Sequence, residues 1–137
     1  MKEGFDIVTE VVLPSDYQSL IEVEKIVGDV CDEFGVQEDA FGNVLIAVSE
    51  AVNNAIQHGN KNNPEAKVEI KVANQDDTFC IQVKDQGPGF SYQDLPDPTA
   101  PENLLKDSGR GVFLMKNLAD EVEFQNTGST VNLYFHK

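Results

Sequence analysis

Basic residues are scarce in this chain. Lys and Arg together number 10 against 24 Asp and Glu, giving 137 residues a formal net charge of -14. Nucleic-acid binding rests on Lys and Arg neutralising phosphates, so direct nucleic-acid contact is not expected. Cysteine is scarce too. Cys31 and Cys80 lie far apart with no C-x-x-C spacing, which leaves a zinc site or redox motif unsupported. Both sit in apolar segments and read as two buried thiols of a reducing compartment. No apolar run approaches the roughly 20 residues of a membrane span, and no signal peptide opens the chain, so the expectation is a soluble cytoplasmic protein without membrane contact. Internal repeats, low-complexity tracts and domain boundaries are also lacking. The expected organisation is therefore one domain over residues 1–137, a length that can bury a real core.

What is present is a globular composition, with 40 % apolar residues, and one organising stretch. Glu50 to Gly59 reads E-A-V-N-N-A-I-Q-H-G. Projected at about 100° per residue, Phe41, Val44, Leu45, Val48, Val52, Ala55 and Ile56 share one helix face. Asn43, Glu50, Asn53, Asn54 and Gln57 share the other. A solvated face would use Lys, Glu and Arg, whereas Asn is a poor helix former. A side-by-side Asn53–Asn54 in mid-helix is a local cost that points to another need. Glu50 and Asn54 are four apart and therefore neighbours. An amide oxygen beside a carboxylate suits Mg²⁺ binding, with the carboxylate taking a proton or orienting a water.

The remaining elements follow from pattern. Phe5 to Leu13 is β-rich and Pro14 stops it. Ser15 with Gln18 reads as a capping box opening a helix to Phe34, with Gly35 ending it. Glu22, Glu24, Lys25 and Asp29 form its solvated face. The central helix starts between Gln37 and Asp39 and ends at Gly59, read as a C′ glycine; His58 in its last turn reads as a dipole contact rather than chemistry. Asn60 to Glu65 is turn-like. Lys67 to Ala73 and Phe79 to Val83 alternate as hairpin strands, the second delivering Asp85. Asp85-Gln86-Gly87-Pro88-Gly89-Phe90 then places glycines two apart, where backbone can approach a ligand, behind an acceptor suited to an amino group. Residues 91–108 hold prolines 96, 98 and 101 and helical character only around Glu102 to Lys106, which reads as a functional lid. Gly109-Arg110-Gly111 opens a helix, a phosphate site in principle, with Arg110 adding positive charge. Strands Glu121 to Gln125 and Thr130 to His136 close the chain.

This order of motifs resembles the GHKL ATPases, the superfamily of gyrase, histidine-kinase and mismatch-repair ATP domains. Glu50 to Gly59 is similar to the family's N box, Asp85 to Phe90 to its first glycine box, and Gly109 to Gly111 to its second. The small size, the wording of the N box, the lid D-P-T-A-P-E-N-L and S-G-R-G resemble the anti-sigma-factor serine kinases. The resemblance runs from Phe5 to Phe135. It implies a two-layer α/β (α+β) sandwich, a mixed, mostly antiparallel sheet covered on one face by helices, with ATP bound on the helical side under the lid. It implies that Asn54 holds Mg²⁺, Glu50 is the general base, Asp85 accepts from the adenine amino group, Gly87 and Gly89 lie against the nucleotide, and Gly109, Arg110 and Gly111 surround the phosphates. Thr130 would support the adenine end, while Asn53 stays open between phosphate contact and packing. The implied reaction is phosphoryl transfer from ATP to a Ser or Thr of a small STAS-type anti-sigma antagonist, by a protein that also binds a sigma factor and pairs as a homodimer. Two alternatives stand beside it: an ATP-binding regulator that sequesters a partner without catalysis, and an ATP domain serving a separate histidine-kinase chain.

Overall fold

The computed structural model describes residues 1–87 and 107–137. The elements run β1 (Asp6–Pro14), α1 (Ser19–Phe34), α2 (Glu38–Asn54), a π turn (Ala55–Gly59), β2 (Lys67–Gln75), β3 (Thr78–Lys84), α3 (Asp107–Leu118), β4 (Glu121–Gln125) and β5 (Thr130–His136). The strands form one sheet in the order β1-β2-β3-β5-β4. The two-layer sandwich is as expected, and the mostly antiparallel sheet resolves to antiparallel pairing at every described strand pair.

Strand alternation places the core. Val68, Ile70 and Val72 of β2, Phe79, Ile81 and Val83 of β3, and Val131, Leu133 and Phe135 of β5 are all buried. The register sets Ile70 opposite Val83 and Ile81 opposite Leu133, so these side chains share one sheet face. Val23, Val27, Val30 and Cys31 of α1 and Val44, Val48 and Val52 of α2 join them in one cluster. Phe79 is wholly buried, with the Phe34 and Phe135 rings each 5.3 Å from its own. Removing such a ring from water contributes about 1.5–3 kcal/mol. On the opposite sheet face a smaller cluster of Ala73, Cys80 and Tyr134 is covered by Met1 and Phe5. Both cysteines are free and buried. Burial pushes the Cys80 thiol up to about 12 and raises that of Cys31 as well, the latter helped by the neighbouring Asp32 charge.

Two local expectations are corrected. The capping box does not form, because α1 starts only at Ser19 and its N-cap, Gln18, makes no side-chain cap bond. Asp16 caps the approach instead, its Oδ1 accepting from the Gln18 N–H at 2.8 Å. The Ser15 hydroxyl is buried and accepts from Asn60. Gly59 is not a left-handed C′ residue either. It lies inside the π turn, and the left-handed residues that end the segment are Lys61 (φ 52°) and Asn62 (φ 60°). Gly35 does take the expected left-handed form, at φ 68°. No helix among the described residues is long and apolar enough to cross a membrane. Gly89 and all but the last two residues of the expected lid lie outside the described residues.

Candidate active site

Three segments converge where α2 ends. The helix places Glu50 and Asn54 one turn apart on the face toward α3, and both are half-buried. Gly111 of α3 lies against them. A Cβ added there would fall 3.0 Å from Glu50 Oε2 and 3.2 Å from Asn54 Nδ2. The missing side chain therefore lets α3 rest directly on the carboxylate and amide. Gly111 is the fifth residue of α3, past the N–H groups that a helix start leaves unpaired. Gly109 and Arg110 lie in the first turn of α3, and Arg110 is exposed.

The other end of the site is built on two glycines. After Asn54 the chain widens into the π turn, with the Asn60 N–H reaching back five residues to the Ala55 carbonyl at 2.8 Å. Turns of this kind concentrate at functional positions. Here it carries Gly59 against the Asp85 carboxylate and Gly87. A Cβ on Gly59 would overlap the Asp85 carboxylate, and one on Gly87 would overlap the Gly59 carbonyl. A side chain at Gly87 would have to move backbone, and one at Gly59 would have to displace the Asp85 carboxylate.

Asp85 follows β3 and is 7 % exposed. Burial raises its carboxyl above the ordinary value, and the Gly87 N–H, donating to Oδ1 at 2.8 Å, partly offsets this. Its own N–H donates to the Ser129 carbonyl at 2.9 Å. A pocket opens between the two ends. Ala55, Val83, Met115 and Val131 supply apolar wall, and Asn54 and Asp85 supply polar groups. An apolar slot with a carboxylate at one point of its wall suits a flat heterocycle bearing an amino group.

The expected residues divide accordingly. Glu50, Asn54 and Gly111 are brought together, and Asp85 and Gly87 form the second group. Asn53 is half-buried, about 100° round the helix from Asn54, and is not among the pocket-lining residues. Thr130 is buried, and its hydroxyl accepts from Asn126 Nδ2 at 3.2 Å. The neighbouring Ser129 lines the pocket instead. Strand parity could have shown this, because Val131, Leu133 and Phe135 face the helices and Thr130 therefore faces away. His58 is exposed on the π turn. Asn60, read only as a turn residue, proves to be the buried polar hub of this corner: it is 6 % exposed. Among the described residues no three His, Cys, Asp or Glu side chains gather as a metal site.

A pocket between an N-box helix and a strand-borne aspartate, in a helix-covered antiparallel sheet, defines the nucleotide-binding domain of the histidine kinase-like ATPases. The model of that family, the histidine kinase-like ATPase domain, matches residues 13–135, and the chain belongs to it. Within the family it falls in the branch of the serine-protein kinases called RsbW. The Bacillus subtilis (strain 168) protein of that name is 32 % identical over 138 residues, covering 96 % of this chain and 86 % of the relative. That of Staphylococcus aureus (strain JH9) is 33 % identical over 140 residues, again covering 96 % and 86 %. A crystal structure of the RsbU and RsbW domains of a Mycobacterium tuberculosis protein superposes with a TM-score of 0.62 at 15 % identity, over 94 % of this chain and 32 % of that one. At that identity the superposition speaks for the fold.

Proposed function

We propose that this protein is a serine/threonine kinase whose substrate is a small STAS-type antagonist and whose second partner is a sigma factor, the two exchanging on one regulator. The kinase class follows from its branch, whose relatives are serine-protein kinases. The observation that carries the catalytic reading is the packing of Gly111 against Glu50 and Asn54. It sets a carboxylate and an amide together beside the pocket that ends at Asp85.

In this reading Asp85 accepts from the adenine amino group, and Gly87 and Gly89 let backbone lie along the nucleotide. Gly109 and Arg110, in the first turn of α3, face the phosphates, where a helix start favours anions. The donor set fits Mg²⁺ arriving with ATP, since that ion takes few protein ligands and fills its shell with phosphate oxygens and water. Asn54 would hold it through its amide oxygen, and Asn53 stands beside Asn54 for phosphate contact or packing. When bound, the ion neutralises charge developing on the phosphoryl oxygens. Glu50 takes the proton of the substrate hydroxyl as the new O–P bond forms and the bond to the ADP leaving group breaks. Thr130 carries least of this reading, because its hydroxyl is turned toward Asn126.

The test is to label a host-cell extract with γ-labelled ATP and Mg²⁺, with wild type and Glu50→Ala in parallel. One small protein labelled on Ser or Thr by the wild type alone is the expected result. If no band appears while ATP binding is intact and sensitive to Asp85→Asn, the chain is a nucleotide-gated binding module and the kinase reading falls.

A further inference from the structure

We infer that Asn60 is a positioning residue for purine recognition: its buried side-chain amide holds the backbone between Asp85 and Gly87 against the end of the N box. This rests on the reading of Asp85 as the partner of the adenine amino group. Both polar atoms of the Asn60 side chain are bonded. Its Nδ2 donates to Ser15 Oγ at 2.7 Å and to the Lys67 carbonyl at 3.0 Å, and its Oδ1 accepts the Gln86 N–H at 2.8 Å. Its backbone N–H closes the π turn on Ala55. One side chain thus ties together the corner between β1 and α1, the start of β2, and the loop that follows β3.

The effect on Asp85 comes through three successive backbone N–H groups. That of Asp85 is held by the Ser129 carbonyl, that of Gln86 by Asn60, and that of Gly87 by the Asp85 carboxylate itself. Of these three anchors, Asn60 is the one that ties the loop to the end of the N box. The Gln86 side chain adds a second tie, its Oε1 accepting the Lys67 N–H at 2.7 Å. A buried amide that satisfies three partners costs more to truncate than it contributes on average, because each partner is left unpaired. Removing it frees the loop to shift away from Gly59, and the carboxylate shifts with it. The consequence is specific: contact with the 6-amino group weakens more than contact with the rest of the nucleotide.

The experiment compares the Kd of ATP with that of purine riboside triphosphate, in which hydrogen replaces the 6-amino group, on the full chain. A hydrogen bond to a charged acceptor predicts a wild-type preference for ATP of about ten- to a hundredfold. Asn60→Ala should bring this preference to within about threefold. Asn60→Asp keeps an acceptor for the Gln86 N–H but faces the Lys67 carbonyl with a repulsive oxygen, so it should lose melting temperature while retaining the preference. A purely structural role would instead weaken both nucleotides equally in every variant. Should Asn60→Ala not fold, Asn60→Ser, with a hydroxyl too short to span the three partners, carries the same expectation. A folded Asn60→Ala or Asn60→Ser protein with the wild-type preference overturns the inference. Asp85→Ala is the control: if it leaves the preference intact, the adenine reading itself fails and the inference falls with it.

Discussion

The two ends of the candidate site are made in different ways. At the Asp85 end, Gly87 is pressed on the backbone of Gly59, Gly59 lies on the buried Asp85 carboxylate, and each N–H from Asp85 to Gly87 has a fixed acceptor. At the Glu50 end, half-buried side chains on α2 meet one glycine of α3, whose added Cβ would touch only side-chain atoms. The first end is rigid and intolerant of added bulk. The second can give by a rotamer. A pocket that recognises a flat base gains from the former, and a centre where a phosphoryl group is transferred needs room to adjust.

Removing the base tests the adjustable end most severely. Glu50→Ala should lower the phosphorylation rate by about 10²- to 10⁴-fold while leaving ATP affinity within a few fold, as measured by single-turnover kinetics beside equilibrium binding. Equal losses in both would assign Glu50 to the packing of α3. Next in size is a bulk test at the rigid end. Gly87→Ala forces backbone apart at Gly59 and should cost about 1–3 kcal/mol of stability, together with most of the nucleotide binding; unchanged chemical denaturation would show that the loop relaxes freely.

The matching substitution at the adjustable end should do far less. Gly111→Ala gains up to about 1 kcal/mol of helix propensity against a contact that Glu50 can relieve by turning. Stability should therefore stay level or rise slightly, with the transfer rate falling several-fold. A loss of stability as large as that of Gly87→Ala would erase the contrast between the ends. The pH response is smaller again. Because burial raises the Asp85 pKa, the folded state holds this proton to higher pH than the unfolded chain. That contribution is fully present below the ordinary aspartate pKa and is lost as pH rises through the raised value. Nucleotide binding runs the other way, since the ionised carboxylate is the better acceptor. ATP affinity should fall as pH drops through the raised pKa, and Asp85→Asn should flatten both profiles. Least of all should happen at the cysteines. With Cys80 wholly buried and its pKa near 12, neither thiol should react with a disulfide reagent until denaturant is added.

Much of this was legible from residue order. Alternation located β2, β3 and β5, since Val68, Ile70, Val72 and their partners repeat with the period of a pleat, and β-rich composition ended by Pro14 located β1. The helical stripe from Phe41 to Ile56 located α2, and the spacing of Glu50 and Asn54 put the two groups together. What escaped were features decided by distant partners. Ser15 has the form of an N-cap, but its oxygen is taken by Asn60, 45 positions away, and no local window contains that bond. Gly59 was placed correctly for the wrong reason, because its requirement comes from Asp85 across the fold rather than from its own φ. Asn60 looked like any turn asparagine, and only its burial and three partners set it apart.

The π turn has one more consequence. Five residues per bonded step instead of four means that the N box carries one residue beyond what a regular helix from Glu38 would hold. Deleting one residue of Ala55–Gly59 would let the segment rewind as ordinary helix and would remove the widened backbone that carries Gly59 to the Asp85 carboxylate. The length of this stretch is thus as binding as its composition.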